Sequence, residues 1–263
     1  MEFLKNNNMK ILIILVRREG GVGKVVNSIK PILKERGHLI EVISREDDLD
    51  CYSLRGSFKK MREEVKKRDY DILYTQDWSC ALPFLFWKNH YTCFHGSNPN
   101  KVGRFFQTFV GQVKEKKLIV VGDKLKKKFP KSNLIYNGVD FNKFKDLNNR
   151  RDKIGWINKD AEGITKGEFF KIAYDHGLEP TIAKNIPQEK MNEWYNSLKV
   201  FVSYPTKIAG FNLCWLEAKA AGVPKVLGNE NGVGISKVEK DWKEMNWEVN
   251  VNKLLKIMGG LDK

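Results

Sequence analysis

Short apolar runs alternate with longer amphipathic segments along the whole chain, and each switch from one to the other is marked by glycine, proline or a charge cluster. KILIILV (10–16) predicts a strand, Gly20 to Arg36 a helix closed by Gly37, and LIEVISRE the next strand. SLRGSFKKMREEVKKRD predicts a charged surface helix leading into the strand DILYTQD, and Cys80 to Trp87 a buried helix. YTCFHGSN, a helix from Lys101 to Lys117, LIVVGDK and SNLIYNGVD complete the first half. The polar segment FKDLNNRRDK (144–153) predicts a linker. The pattern then restarts with IGWI, a helix over 167–176, a strand over 179–184, a helix over 187–198, KVFVSY, a helix over 210–221 and KVL. DWKEMNWEVNVNKLLKIM closes the chain as an amphipathic segment. Strand–helix alternation implies right-handed crossovers and parallel sheets. The expected fold is therefore α/β, with two Rossmann-like doubly wound parallel-sheet domains and an interdomain cleft. Expected boundaries are 1–148, 149–235, and a helical segment 236–263 that packs back on the first domain. In such sheets ligands bind beyond the carboxyl ends of the strands, so the site is expected in the cleft.

Composition narrows the class. The 263 residues are 41% hydrophobic and 30% charged, which suits globular domains. The net charge of +15 is uneven: residues 1–150 hold 30 Lys+Arg against 17 Asp+Glu, and residues 151–263 hold 17 against 15. The excess in the first half suits an anionic partner there, such as lipid or an acidic acceptor, or else a solubilising surface. No stretch approaches the roughly 20 apolar residues of a membrane span, and the apolar run of KILIILV stops at Arg17-Arg18. MEFLKNNN reads as a frayed extension, and Cys51, Cys80, Cys93 and Cys214 as reduced structural thiols without metal-type spacing. The expected location is the cytoplasm, with peripheral placement on the inner membrane face as the further expectation.

The stretch FVSYPTKIAGFNLCWLEAKAAGVPKVL (201–227) carries the chemistry. A strand ends, a loop follows, and a helix opens near Gly210, so N–H groups at 211 to 213 face an anion site at the positive end of the helix dipole. Glu217 shares a face with Leu213, Cys214, Ala220 and Ala221. A carboxylate there needs a partner, which is either a ribose or a nearby lysine. His95, in HGS after a strand, is either a structural histidine or a cleft residue. Gly20 and Gly21 allow close approach to phosphates or an acceptor, or simply start a helix. Asp48-Leu49-Asp50 reads as an acidic surface loop, no zinc ligand set stands out, and the Gly-x-Gly at 21 and 23 lacks the third glycine of a dinucleotide fingerprint.

Several segments, in order, resemble the retaining GT-B glycosyltransferases of the glycosyl transferases group 1 superfamily (family 4, glycogen-synthase-like). GGVGKVVNSIKPILKERGHLIEVIS (20–44) is similar to its first glycine-rich turn and helix, FHGSN (94–98) to its histidine-containing turn, and LIYNGVDFNKF (134–144) to the segment ending its N-terminal domain. Tyr204-Pro205, Gly210-Phe211, Leu216-Glu217-Ala218, Ala220 and Gly222-Val223-Pro224 are similar to its donor signature, and MNEWYNSLKVFVSYP to the run before it. The resemblance implies a metal-independent hexosyltransferase with no cofactor, whose donor is a nucleotide-diphosphate sugar, UDP-linked first and GDP-linked second. It implies that Glu217 grips the ribose, that Gly210, Phe211, Asn212 and Leu213 cradle the diphosphate and sugar, and that Lys166, with Lys159 competing, neutralises the diphosphate. His95 would face the donor sugar, while Gly20, Gly21 and Asn137 would serve the acceptor or phosphate loops. The acceptor would be a glycan or lipid met by the basic first half. Two positions depart from the pattern: Ala209 replaces the first acidic residue, and Trp156 stands where an arginine is usual. Trp156 either stacks on a base or belongs to the core. These departures support an alternative, a catalytically silent relative that only binds a sugar nucleotide or glycan. A nucleic-acid-binding role is a third reading, weakened by lysines spread over helices and loops without a recognised motif.

Overall fold

KILIIL forms β1 (Lys10–Leu15), whose residues are all buried beyond Lys10, as expected of a central strand covered on both faces. β2 (Leu39–Ser44) lies at the sheet edge and alternates exposed and half-buried positions until Ile43. β3 (Ile72–Gln76), β4 (His90–Phe94), β5 (Leu118–Val120) and β6 (Asn133–Leu134) complete a six-stranded parallel sheet in the order β2-β1-β3-β4-β5-β6. The computed structural model describes residues 8–149, 151–157, 163–184, 186–206, 211–231 and 233–259. β7 (Lys153–Trp156), β8 (Glu179–Ile182), β9 (Leu198–Val202) and β10 (Lys225–Leu227) form a second parallel sheet in the order β10-β9-β7-β8.

The chain divides into two compact units, Met1–Tyr136 with Trp247–Lys263 and Asn137–Asn246. The first boundary therefore falls at 136/137, earlier than the expected 148/149. The expected linker is tied into the second unit. Arg151 Nη2 donates to Asp146 Oδ1 at 2.5 Å, to Asn196 Oδ1 at 3.1 Å and to the Ala221 carbonyl at 2.9 Å. Asn196 also donates to the Lys145 carbonyl at 2.9 Å and accepts from the Leu147 amide at 2.7 Å. Upstream, Val139 N donates to Met245 O at 2.9 Å.

The segment expected over 236–263 splits. Ile235–Glu244 stays with the second unit, and the helix Trp247–Met258 belongs to the first. Trp247, Asn250, Val251, Leu254, Leu255 and Met258 form its buried stripe. It packs on the helix Gly20–Glu35, where Arg36 Nη2 meets Glu248 Oε2 at 2.6 Å, and Asn250 donates to the Tyr136 carbonyl at 2.7 Å.

Three expected helices are shorter. Cys80–Trp87 becomes the turn of helix Trp78–Ala81 and a 3₁₀ segment Leu82–Phe84, because Pro83 has no amide N–H to continue the ladder. The helix Lys101–Lys117 ends at Val113, and that over 187–198 narrows to Met191–Asn196 after a 3₁₀ turn. Among the described residues, no helix is long and apolar enough to cross a membrane. All four cysteines are free and buried.

Candidate functional site

In the first sheet β2 and β3 lie on opposite sides of β1, so the strand order reverses there, and such a reversal opens a crevice at the carboxyl ends. A cavity of about 410 Å³ occupies that place, lined in part by Arg17, Gly21, Glu46, Gln76, Asp77 and His95. His95 follows β4 directly, and its Nε2 lies 2.7 Å from Gln76 Oε1. A neutral ring donating through Nε2 leaves Nδ1 as an acceptor. Burial pushes the His95 pKa down to about 4, so the ring is neutral at pH 7. Gln76 Nε2 is buried and makes no hydrogen bond of ordinary geometry among the described residues.

Asp77 caps the helix that begins at Trp78, its Oδ1 accepting from the Trp78 amide at 2.7 Å. It sits at φ 74°, a region that strains a non-glycine residue. Burial raises its pKa against the opposing pull of the Trp78 amide and Arg45. On the other wall Glu46 takes Arg17 on one oxygen and Arg45 Nη2 at 3.1 Å on the other. Burial works to raise the Glu46 pKa, and the two arginines override it and hold it low. The wall thus carries an ion pair with the exposed end of Arg17 free to turn toward an anion.

Gly20 has φ +81°, a conformation that disfavours any side chain, and Gly21 faces open space on the cavity wall. At Gly23 an added Cβ would lie 1.8 Å from the Arg18 carbonyl oxygen. Gly23→Ala is expected to cost at least about 2–3 kcal/mol and to displace the Arg18 turn, read as a lowered unfolding midpoint. Gly21→Ala, with space to spare, should fold like the parent.

In the second unit the strand order reverses at β7, which has β8 on one side and β9 on the other. The helix Leu213–Ala220 follows β9, and Asn212 caps it through Oδ1, 3.3 Å from the Cys214 amide. Asn212 Nδ2 donates to Ser203 Oγ at 2.7 Å, which pins the helix start to the end of β9. The Asn212 side chain is therefore spent on structure. Glu217 is 7% exposed. Its Oε2 accepts from the Tyr195 hydroxyl at 2.9 Å, and no cation pairs with it among the described residues. Burial first, then Cys214 and Glu217, raises the Tyr195 pKa well above the usual phenol value, so the hydroxyl stays a donor. The carboxylate keeps Oε1 as acceptor capacity.

Lys166 stands exposed at the first position of the helix Lys166–Asp175, its ammonium 5.6 Å from the centre of the Phe170 ring. That helix opens with a capping box, in which Thr165 Oγ1 accepts from the Glu168 amide at 3.2 Å and Glu168 Oε2 accepts from the Thr165 amide at 2.6 Å. A cation at a helix N-terminus opposes the dipole, and an anion bound there would relieve that opposition.

Trp156 settles in the core. It is 1% exposed, packs on Phe169 at 5.4 Å, and presents no face to a base. Asn137 is buried and belongs to the second unit rather than to a loop of the first. Lys159, Ala209 and Gly210 lie outside the described residues. Asp48 of the acidic loop receives Arg18 at 2.5 Å and the Ser44 amide at 2.7 Å, and no cluster suited to a metal ion occurs among the described residues.

No family model and no curated protein matches the chain. Solved structures do. Sucrose-phosphate synthase of Thermosynechococcus elongatus aligns over 97% of this chain and 95% of its own, with TM-score 0.62 and 13% identity. A glycosyltransferase of Rickettsia africae ESF-5 aligns over 97% and 94%, with TM-score 0.58 and 16% identity. HepE of Anabaena, solved in complex with UDP-glucose, aligns over 97% and 96%, with TM-score 0.55 and 13% identity. The chain has the GT-B fold. The order of the GT-B halves follows the chain, with the six-stranded unit first and the four-stranded unit second.

Sequence reasoning passed over Asp77, Gln76, Arg17 and Glu46. Asp77 alone left a signal, an aspartate between a buried strand and a helix start in DILYTQDW.

Proposed function

We propose that the chain is a glycosyltransferase that moves a hexose from a nucleotide-diphosphate sugar to a glycan or lipid acceptor, with retention and without a metal ion. The observation that carries this reading is Glu217, a buried carboxylate with no cation beside it among the described residues and with an oxygen left to accept. A salt-bridged glutamate would have been structural; one held, among the described residues, by a tyrosine hydroxyl suits a ligand hydroxyl pair. The second unit would hold the donor, with the ribose on Glu217 and the diphosphate at the amino end of Leu213–Ala220 and on Lys166. The first unit would hold the acceptor in the cavity beside His95, Gln76 and Asp77.

In the reaction the bond from the anomeric carbon to the diphosphate breaks and a bond to the acceptor oxygen forms. The acceptor proton passes to the leaving phosphate oxygen. Lys166 stabilises that oxygen as its charge grows, an interaction stronger in the transition state than before it. Neutral His95 would accept from an acceptor hydroxyl through Nδ1 and so fix the acceptor's orientation in that cavity.

A thermal-shift panel of UDP, GDP, ADP and their sugars tests the donor side. The matched nucleotide raises stability by about 2.7 kcal/mol at a hundredfold excess over Kd, a shift of several degrees, while the others leave the midpoint in place. Lys166→Ala, at an exposed site, should weaken the match about tenfold or more with an unchanged apo midpoint.

The silent relative keeps one observation in its favour. Trp156 is sealed in the core, so the arginine usual at its position has no substitute there. Nucleotide binding without release of UDP from any sugar donor would select it.

A further inference from the structure

The helix Lys101–Val113 carries an apolar face that the fold leaves open. Val102 and Phe105 are each 67% exposed, Phe109 42% and Val113 44%. Their spacing puts all four on one stripe of about a quarter-turn. The opposite face, with Gly103, Gln107, Val110 and Gly111, supplies the buried side. The stripe is thus surplus to the core. At the far end of the helix Lys114 Nζ donates to the Trp87 carbonyl at 3.1 Å, which brings up the turn whose Phe86 is 85% exposed. Singly exposed apolar residues are ordinary; an aligned stripe of this kind is not.

The border of the stripe is cationic. Exposed Lys101 borders the stripe, four residues before Phe105, and exposed Arg104 lies about 100° further round the helix from Phe105. Phe129, the residue that ends helix Asp123–Lys128, lies with its ring against Gly111, and that helix carries exposed Lys127 and Lys128. Arg104 is close enough to Lys128 to add to desolvation, the larger cause, in lowering the Lys128 pKa. Among the described residues none of these four cations has a carboxylate partner, although like charges so placed repel.

We propose that the Val102–Phe105–Phe109–Val113 stripe and its unpaired cations are a docking surface for an anionic lipid bilayer. The chemistry is matched on both counts: phosphate headgroups neutralise the cations, and the phenyl rings and valines enter the boundary between headgroups and acyl chains. A nucleic acid would use the cations and leave the rings in water. The surface deepens the acceptor side of the function proposed above, and it rests on that reading only for the reason a transferase would sit at a bilayer.

The test is sedimentation of the full chain with vesicles of phosphatidylcholine containing about 30% phosphatidylglycerol, with phosphatidylcholine alone as control. Binding to the anionic vesicles is expected, weakening with salt. The double variant Phe105→Ser/Phe109→Ser should lose at least about tenfold in partitioning. Arg104→Gln/Lys128→Gln should lose about thirtyfold, at about fivefold per cation. Both pairs are exposed, so both variants should keep the parent's melting midpoint and its turnover on a water-soluble acceptor. The proposal is overturned if the phenylalanine pair variant binds vesicles like the parent. It is equally overturned if the parent is a dimer in solution that the same pair turns into monomers, because a second copy then covers the stripe. Vesicle binding in a chain that releases no nucleotide would keep this surface and remove the transferase; turnover without vesicle binding would do the reverse.

Discussion

Glu217→Ala is expected to abolish measurable transfer, lowering kcat/KM by about 10²–10⁴. That range corresponds to two charge-assisted hydrogen bonds of about 1.5–3 kcal/mol each to the ribose hydroxyls. The variant also strips the Tyr195 hydroxyl of its acceptor, so a loss of about 1–3 kcal/mol in stability accompanies it. Tyr195→Phe separates the two effects. It removes the hydroxyl, leaves the carboxylate in place, and should keep kcat/KM within about tenfold while costing roughly 1 kcal/mol of stability. The structural alternative makes the opposite forecast: if Glu217 serves only Tyr195, a folded Glu217→Ala protein binds nucleotide as well as the parent does. Titrating each variant at a temperature well below its own midpoint distinguishes them.

The second large effect is acid destabilisation through His90, buried in β4, and half-buried His95 just after that strand. His90 lies between Thr75 Oγ1 and the Phe84 carbonyl, each at 2.8 Å from a ring nitrogen. Burial first, and then Lys114, drives its pKa down to about 3. Burial holds His95 at about 4. Both titrate near 6.5 once unfolded. Between pH 6.5 and 4 the unfolded chain therefore carries up to two more protons than the native one, most nearly two around pH 5, and native stability falls as pH falls. The slope is about 2.7 kcal/mol per pH unit from this pair, enough to remove much of a typical domain's stability by pH 5. Chemical unfolding at pH 7 and pH 5 checks it, and a flat profile contradicts it. Proton NMR of the imidazole rings gives an independent check, because both rings should stay neutral in the native protein at pH 5. Above pH 6.5 the effect fades within about one pH unit, as the unfolded chain also loses these protons.

The two sheets were legible because their central strands carry short apolar runs between turn signals, as in ILIIL of β1 and VFV of β9. What escaped the pattern was set by contacts distant in sequence. The segment 144–153 looks like a linker by composition, yet Arg151 and Asn196 anchor it through three carbonyl or carboxyl oxygens that no local window reveals. The closing helix was visible from its stripe, but its assignment to the first unit depends on Arg36 and Tyr136, more than a hundred residues away. Within the site, Glu217 drew attention because a carboxylate on an apolar helix face is costly. Its hydroxyl partner Tyr195 did not, because a tyrosine before a strand is ordinary. Arg17, Glu46 and Gln76 meet only where three strands end, so their sequence neighbours give no sign of a cavity.

Calorimetric titration of the intact chain with a UDP-linked and a GDP-linked hexose, repeated on Glu217→Ala and Lys166→Ala, addresses the donor site itself. One nucleotide series should bind the parent at a single site, lose at least about a hundredfold on Glu217→Ala, and lose about tenfold on Lys166→Ala. Heat traces that show no binding of either series, or binding that both substitutions leave untouched, would contradict the account.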